Sequence, residues 1–242
     1  MLTQEEVKRY AHARRLKLID QIWKDYLQDV LLYLLYRKMP KMVFRGGTCI
    51  WKVLKGDRFS EDLDCCVTSL PENIMEYLKK EFEMLGITCS ILKQKRTANM
   101  FFVKFGFWLS VHPREIVISL EILVKEKCGK VNTAMLYSPY PDVPPIEAII
   151  PSKEEMLIDK VLAILLRNKP RDVHDLYQLL NLGAVVDKKT LLKKIPKFNK
   201  ELFKKKIFEN RKTWNSLKPL IVTKLPSLED EAKYILAHFE EL

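Results

Sequence analysis

The chain is poor in the residues that build disulfide frameworks and zinc sites. Its five cysteines are an odd number and include no Cys-x-x-Cys pair, which argues against a disulfide framework or a zinc ribbon. Its four histidines are scattered and form no metal-ligand pattern. Only His174 lies within a motif, and we expect it to have a structural role.

Long hydrophobic runs are also missing. The longest, residues 30–36, is far too short to span a membrane, and the charged N-terminus lacks the layout of a secretory signal. The hydrophobic content of 48% in 242 residues is still enough for a proper core. We therefore expect a cytoplasmic protein without a membrane partner.

The hydrophobic spacing predicts three successive parts. Residues 3–37 show helical periodicity behind a capping box formed by Thr3 and Glu6. An α/β segment follows, and the pattern is helical again from Ser152 onward. Because prolines favour an extended connection, the proline-rich stretch 138–145 marks the expected boundary. The prediction is an N-terminal domain of residues 1–150 and a helical domain of residues 151–242. Within the α/β segment the pattern predicts a helix near 72–85 and strands near 87–93, 100–108 and 115–124.

A paired glycine turn lies early in the α/β segment. The apolar run 42–44 reads as a short strand, and Gly46 and Gly47 permit backbone conformations closed to other residues. Thr48 is predicted to be the N-cap of a helix over 49–55, with Gly56 as its C-cap. Such a helix start offers free backbone N–H groups to a phosphate.

Two carboxylates with the spacing of a metal site lie on the strand expected after that helix. On a strand, Asp62 and Asp64 point to the same face, roughly 7 Å apart. They could therefore bind Mg²⁺ from one side while substrate phosphates complete the coordination shell of the metal. Ser60 lies two residues before Asp62. The glycine turn and the carboxylate pair are each weak signals alone, but their order and spacing indicate a phosphate-transfer site.

Taken together, these motifs resemble a known family. Gly-Gly-Thr, then Arg-Phe-Ser-Glu-Asp-Leu-Asp at 58–64, then Lys160 and Arg-Asp-Val-His-Asp-Leu-Tyr at 171–177 are similar to the AbiEii/AbiGii toxin nucleotidyltransferases, to which the MenT toxins are related. The match covers about residues 40–180. It implies an α+β nucleotidyltransferase fold of the DNA polymerase beta type, with a mixed sheet flanked by helices. It also implies a toxin of a toxin–antitoxin pair, and several such toxins transfer a nucleotide from an NTP to the 3′ end of tRNA.

The resemblance assigns roles to particular residues. Ser60 and Asp62 match the first motif, and Asp64 is the second metal carboxylate. A third carboxylate comes from a neighbouring strand in this fold, and Glu121 is the best-placed candidate, although Asp is usual there. Gly46 and Gly47, with Thr48, would bind the nucleotide.

Three residues of the helical part complete the expected site. A lysine beside an apolar stripe is ordinarily a surface residue, but Lys160 matches the family lysine, which would bind the triphosphate. The late catalytic aspartate corresponds to Asp172 or Asp175, and the spacing leaves that choice open.

Positive charge is concentrated near the C-terminus. Residues 188–218 contain twelve Lys and Arg against two Glu, which is +10 of the formal +11 of the chain. Such a region suits a polyphosphate backbone, and Lys204, Lys205 and Lys206 are its candidate RNA contacts. Helical spacing predicts that most of the interleaved aromatic side chains belong to the core.

The sequence therefore supports an enzyme with Mg²⁺ as cofactor, an NTP and a tRNA or other RNA as substrates, and possibly a cognate antitoxin as partner. One alternative is nucleotidyl transfer to a protein or small-molecule hydroxyl. The other is a non-catalytic module that binds RNA or the antitoxin.

Overall fold

The computed structural model describes residues 2–110 and 112–240. It has the predicted α+β architecture, in which helices accompany one seven-stranded mixed sheet. The α-helices are α1 (Gln4–Ala11), α2 (Ile19–Lys38), α3 (Gly46–Lys52), α4 (Ile74–Met84), α5 (Lys153–Leu166), α6 (Pro170–Asn181), α7 (Lys188–Lys194), α8 (Lys200–Glu209) and α9 (Leu228–Ala237). Short 3₁₀ helices span His12–Arg14, Asn210–Lys212 and Trp214–Leu220. The strands are β1 (Val43–Arg45), β2 (Leu63–Val67), β3 (Thr88–Arg96), β4 (Met100–Trp108), β5 (Ile116–Val124), β6 (Val131–Leu136) and β7 (Ile146–Pro151).

The chain forms two compact units. The first contains the residues up to Val53 together with Ser60–Ile150, and the second contains Leu54–Phe59 together with the residues from Pro151 onward. The short segment 54–59 thus leaves the first unit immediately before the carboxylate motif. Among the described residues, no helix combines the length and apolar content needed to cross a membrane.

The N-terminal helical region begins as predicted but is not continuous. Thr3 and Glu6 form the expected capping box, with reciprocal bonds between each side chain and the other residue's backbone N–H. The helical turns end at Arg15, which has a left-handed backbone with φ of 57°, and α2 begins only at Ile19. The break arises because a left-handed residue cannot continue a right-handed helix.

The sheet order is β3-β4-β5-β2-β1-β7-β6. The predicted helix near 72–85 and the three predicted strands are confirmed as α4, β3, β4 and β5. Strand β2 lies in the middle of the sheet, antiparallel to β1 and parallel to β5. It is flanked on both sides by hydrogen-bonded strands, so the position of Asp64 within it is fixed by two neighbours.

One disulfide is present, contrary to the expectation from the cysteine count. Cys66 and Cys128 are bonded, with their Cα atoms 5.9 Å apart and 62 positions of sequence between them. An odd count and irregular spacing cannot reveal a pair that the sheet brings together. Cys49, Cys65 and Cys89 are free thiols.

A buried ion-pair network joins α2 to α3. Asp25 and Asp29 of α2 are fully buried, and the ammonium of Lys52 lies 2.6 and 2.7 Å from their carboxylates. The guanidinium of Arg14 contacts the same carboxylates at 2.6 and 2.8 Å. Burial alone would raise the pKa of Asp25, but the charges of Arg14 and Lys52 outweigh it and hold that pKa below its usual value. Two cations therefore balance two carboxylates inside the core.

Neutral donors complete the network. The indole of Trp51 donates to Asp25 at 3.1 Å, and the hydroxyl of Tyr140 donates to the same carboxylate at 2.9 Å. The hydroxyl of Ser138 donates to Asp29 at 2.7 Å. Because Ser138 and Tyr140 belong to the proline-rich stretch, these bonds fasten that stretch to α2.

Replacing Lys52 by Met should lower the free energy of unfolding by about 3–5 kcal/mol, because the change leaves two buried carboxylates with one cation. Urea unfolding followed by circular dichroism measures the change. Lys41→Met, at an exposed lysine, is the matched control and should be nearly neutral. Equal, small losses in both variants would contradict a stabilising role for the network.

Candidate active site

The glycine turn opens α3 differently from the sequence prediction. The helix starts at Gly46 and ends at Lys52, so Thr48 is its third residue and not its N-cap, and Gly56 lies beyond it. The reason is the positive φ of Gly46, 76°, which lets the chain turn from β1 directly into the helix. The hydroxyl of Thr48, buried within the helix, instead donates a short hydrogen bond to the backbone carbonyl of Asp62.

Gly46 also lies against the carboxylate of Asp64. A Cβ atom at Gly46 would stand 2.1 Å from Oδ2 of Asp64 and 2.9 Å from its Cβ. Any larger residue would therefore displace the acidic side chain. Because Gly46 has no side chain, its backbone at the start of α3 can lie next to the carboxylate of Asp64.

The two motif aspartates occupy different local structures. Strand β2 begins at Leu63, so Asp64 lies in the strand, while exposed Asp62 lies in the bend before it. The prediction that both belong to one strand was wrong for Asp62, because pairing with the neighbouring strands begins one residue later. Asp64 is directly opposite Arg45 on β1 and Glu121 on β5. Paired residues share a face of the sheet, so these three side chains form a row on one face.

The row is accessible, as a binding site requires. Arg45, Asp64 and Glu121 are half-buried, whereas Leu63 and Cys65, on either side of Asp64 in β2, are fully buried. Sequence reasoning placed Glu121 near the aspartates but did not include Arg45 in the site. The sequence feature that could have indicated Arg45 is its position directly before the glycine pair, because the strand that leads into that turn lies beside β2.

The carboxylates fit Mg²⁺ as a partial site. Among residues 2–110 and 112–240, no group of three or more His, Cys, Asp or Glu side chains is arranged to hold a metal ion by itself. Mg²⁺ is commonly bound through one or two carboxylates and completes its shell with waters and substrate phosphates. Asp62 and Asp64 supply hard oxygen donors of this kind, so the residues present suit a metal that arrives with a nucleotide.

Helix α2 holds the loop that leads to the aspartates. The amide of Gln28, fully buried, donates to the backbone carbonyls of Ser60 and Glu61 at 3.0 and 2.8 Å. The ammonium of Lys24 lies 2.8 Å from the carboxylate of Glu61. Sequence reasoning missed both contacts, because residues more than thirty positions apart leave no local signal. Glu61 is thus directed to α2, away from its neighbour Asp62.

In the second unit, Lys160 is buried and not a surface lysine. Its ammonium lies 2.6 Å from Asp175 and 3.2 Å from Asp172, and only 7% of the residue is exposed. The sequence left open which of the two is the late catalytic aspartate, and the structure brings both to this lysine. The two aspartates are three positions apart on α6, so they face α5 together.

Two arginines complete this cluster. Arg58 donates to both oxygens of Asp175, at 2.7 and 2.9 Å, and Arg167 donates to both oxygens of Asp172, at 2.8 and 2.7 Å. Burial alone would raise the pKa of Asp175, but the charges of Arg58 and Lys160 keep it well below its usual value. Arg58 belongs to the sequence motif 58–64, but the sequence predicts no role for it. Its partner is 117 positions away.

Comparison with known proteins identifies the family. The family model for the nucleotidyl transferase AbiEii toxin, type IV toxin–antitoxin system, matches residues 31–235. The chain belongs to the AbiEii family. It is therefore a nucleotidyltransferase of toxin–antitoxin type, and the family implies a nucleotide substrate and a cognate antitoxin. No curated protein matches the chain.

Two solved structures have the same fold as this AbiEii chain. JHP933 from Helicobacter pylori is 18% identical, with a TM-score of 0.57, and the match covers 88% of this chain and 89% of that one. A second H. pylori protein, described as a nucleotidyltransferase, is also 18% identical, with a TM-score of 0.58 and coverage of 88% and 92%. At this identity the likeness concerns the fold alone.

The basic region of this AbiEii chain is largely solvated. Lys204 and Lys205 are exposed on α8, while Lys206 is half-buried and lies 3.0 Å from Glu209. The expected core role of the aromatic side chains is confirmed for Phe203, which is fully buried, and for Trp214, which is 6% exposed, whereas Phe198 and Phe208 are half-buried. Exposed lysines and buried aromatic side chains on the same elements are typical of amphipathic helices whose solvent-facing side is cationic.

His174 fastens segment 54–59 to the helices of the second unit. Its Nδ1 lies 2.6 Å from Glu231 on α9, and its Nε2 lies 2.8 Å from Asp57. The hydroxyl of Thr223 donates to the other oxygen of Asp57 at 2.6 Å. Burial alone would lower the pKa of His174, but the hydrogen bonds to Asp57 and Glu231 outweigh it and raise that pKa to about 9. These contacts agree with the structural role expected of His174.

The raised pKa of His174 predicts a pH-dependent contribution to stability. The stabilisation is complete below the ordinary histidine pKa of 6.5 and is lost as the pH rises through about 9. The difference in free energy of unfolding between the wild type and His174→Gln should therefore shrink by about 3 kcal/mol between pH 6 and about pH 10. Denaturant unfolding at both pH values measures it. His238→Gln, at an exposed histidine, is the control; a pH-independent difference for His174→Gln would refute the charged state.

Proposed function

We propose that this chain is a Mg²⁺-dependent nucleotidyltransferase that moves a nucleoside monophosphate from an NTP to an RNA acceptor, the 3′ end of a tRNA. One observation carries the proposal: the carboxylate of Asp64 lies against the bare backbone of Gly46. Metal-binding oxygens and phosphate-binding N–H groups are needed side by side in such an enzyme. Membership of the AbiEii family supplies the reaction class.

The acidic residues would hold the metal. Asp62 and Asp64 are the ligands, and Glu121 lies beside Asp64 on the next strand, where it can bind directly or through water. When bound, Mg²⁺ would offset the negative charge of the triphosphate and favour in-line attack by the acceptor hydroxyl. Arg45, on the other side of Asp64, limits the repulsion among these carboxylates before the nucleotide arrives.

The start of α3 would bind the phosphates. The backbone N–H groups of Gly46 and Gly47 have no earlier turn of the helix to bond to, which suits them to an anion. Thr48 contributes differently from the sequence expectation, since its hydroxyl already binds the carbonyl of Asp62. We assign it the role of holding the aspartate loop against the helix. Ser60, held by Gln28 through its carbonyl, is the remaining candidate contact for phosphate.

Lys160 would neutralise triphosphate charge. In its cluster three cations meet two carboxylates, which leaves a surplus of one positive charge; Lys160 and the two aspartates are buried, while the side chain of Arg167 is 49% exposed. A phosphate oxygen is the natural partner for that surplus. Asp172 and Asp175 act as positioning residues that keep the ammonium in one place, and Arg58 and Arg167 in turn fix their carboxylates.

The basic region would bind the acceptor RNA. Lys204, Lys205 and Lys206 follow each other on α8, and the first two extend into solvent. A polyphosphate backbone matches a cationic face of this kind, whereas a small-molecule or protein hydroxyl has no need of it. The acceptor class can therefore be tested through this region separately from the metal site.

The metal site is tested with isosteric changes. Asp64→Asn should abolish magnesium-dependent transfer of labelled nucleotide to tRNA, because an amide is a poor ligand for Mg²⁺. Folding should be retained, since the substitution keeps the shape of a side chain packed on Gly46. The assay measures label incorporated from each NTP with and without Mg²⁺, with circular dichroism as the check of folding.

Glu61→Gln is the matched control for the metal site. Glu61 is beside Asp62 in sequence but directs its carboxylate to Lys24, so transfer should be nearly unchanged. Full activity in a folded Asp62→Asn, Asp64→Asn double variant would rule out the metal assignment. The metal assignment also predicts that the wild type loses activity when Mg²⁺ is removed and regains it when Mn²⁺ is added in its place.

Salt dependence tests the RNA interface. If the basic region binds RNA, log Kd should change with log salt by about 0.7 per phosphate neutralised on a single strand and about 0.9 on a duplex stem. Changing Lys204, Lys205 and Lys206 together to Gln should lower that slope by about one unit or more. Fluorescence anisotropy with labelled tRNA at several salt concentrations measures the slope.

The control is a second triple variant that has the same net charge as the first. Lys41→Gln, Lys79→Gln and Lys80→Gln change three exposed lysines of the first unit and should leave the slope as in the wild type. If both triple variants behave alike and transfer is intact, the acceptor is not held by α8. Transfer to a small-molecule or protein hydroxyl would then be the better account.

A further inference from the structure

The two edges of the sheet are protected to different degrees. The strand order places β3 at one edge and β6 at the other. Strand β3 carries Lys93, Lys95 and Arg96, all exposed, and its pairing with β4 is interrupted by a shift between Ile91 and Lys93. Charges and bulges are devices by which proteins keep an edge strand from pairing with another chain.

Strand β6 has none of these charges. Residues 131–137 read Val-Asn-Thr-Ala-Met-Leu-Tyr, without a charged residue or a proline. Alternate side chains form an apolar stripe that is open to solvent: Val131 is 42% exposed and Met135 45%. Tyr137, one residue beyond the end of the strand, continues the alternation and is 68% exposed. Thr133, between Val131 and Met135 on the same face, is also exposed. An uncharged edge with an open apolar stripe is a template for strand addition.

We propose that this edge binds the β6 edge of a second copy of the chain, in antiparallel orientation centred on Ala134. In that register Val131 of one copy stands opposite Tyr137 of the other, and Thr133 stands opposite Met135. Every apolar member of the stripe then meets a partner on the same face of a continuous sheet. The strand is therefore complementary to itself.

Charge favours a second copy over a charged partner. Residues 131–137 contain no Lys, Arg, Asp or Glu, although the chain as a whole carries a formal charge of +11. The uncharged strand gives an acidic or basic partner nothing to pair with, while two copies meet there without opposing charges. Because a six-residue strand buries less than the about 1,200 Å² typical of a stable complex, the expected dimer is a concentration-dependent equilibrium.

Charge changes at two facing positions test the register. Lysines at both places (Thr133→Lys, Met135→Lys) would bring like charges face to face and should raise the dissociation constant at least about tenfold. Glutamates at both places should do the same. Mixing the two proteins should restore dimers, now between unlike copies. Sedimentation equilibrium from the low micromolar to the submillimolar range measures each case.

One further variant separates this register from its neighbours. The combination Thr133→Lys with Met135→Glu is self-complementary only when residue 133 faces residue 135, so it should dimerise about as well as the wild type. Leu92→Lys with Gln94→Lys adds two charges to the other edge and should change nothing. A wild type that is monomeric over the whole range would overturn the proposal. So would a dimer that survives the double lysine change, or an extended peptide of another protein that binds the β6 edge of the monomer.

Discussion

Lys52 ends α3 with its ammonium between Asp25 and Asp29, and this buried contact fixes where the glycine turn lies. Helix α3 is only seven residues long, so a restraint at Lys52 also restrains Gly46 at its other end. Gly46 in turn lies against the carboxylate of Asp64. Removing one partner of such a pair leaves an uncompensated charge in the core, which disfavours any arrangement that separates Lys52 from the two aspartates. The position of the acidic row therefore depends on an ion pair that takes no part in the chemistry.

Helix α2 restrains the site at a second point. Gln28 holds the loop through the carbonyls of Ser60 and Glu61, while Asp25 and Asp29, on either side of Gln28 in sequence, hold α3. The phosphate-binding turn and the aspartate loop are thus both bonded to one long helix. A catalytic geometry must be maintained to a fraction of an ångström, and shared attachment to one rigid element is a physical means of achieving it.

The sequence correctly predicted those features of the fold that depend on local residue patterns. Strands β3 to β5 and helix α4 follow from hydrophobic periodicity, and the strand-helix-strand order of the glycine and aspartate motifs follows from their spacing. It failed where distant residues decide the structure. The pairs Lys52–Asp25, Arg58–Asp175 and Cys66–Cys128 join residues 27, 117 and 62 positions apart. The N-cap assigned to Thr48 failed for a local reason, since the positive φ of Gly46 starts the helix three residues earlier than predicted.

Charge balance separates the two buried clusters of this chain. In the first unit two cations meet two carboxylates and neutral donors satisfy further oxygens, so the charges balance without a ligand, although Nη2 of Arg14 is buried with no hydrogen-bond partner among the described residues. In the second unit Lys160 belongs to a cluster in which three cations meet two carboxylates. The third cation of that cluster, Arg167, is 49% exposed, so solvent screens part of the excess charge, while Lys160 and both carboxylates are buried. The first cluster is therefore balanced by its own charges, whereas the second keeps a cation at the solvent, where an anion can approach it, as expected beside a lysine proposed to bind a triphosphate.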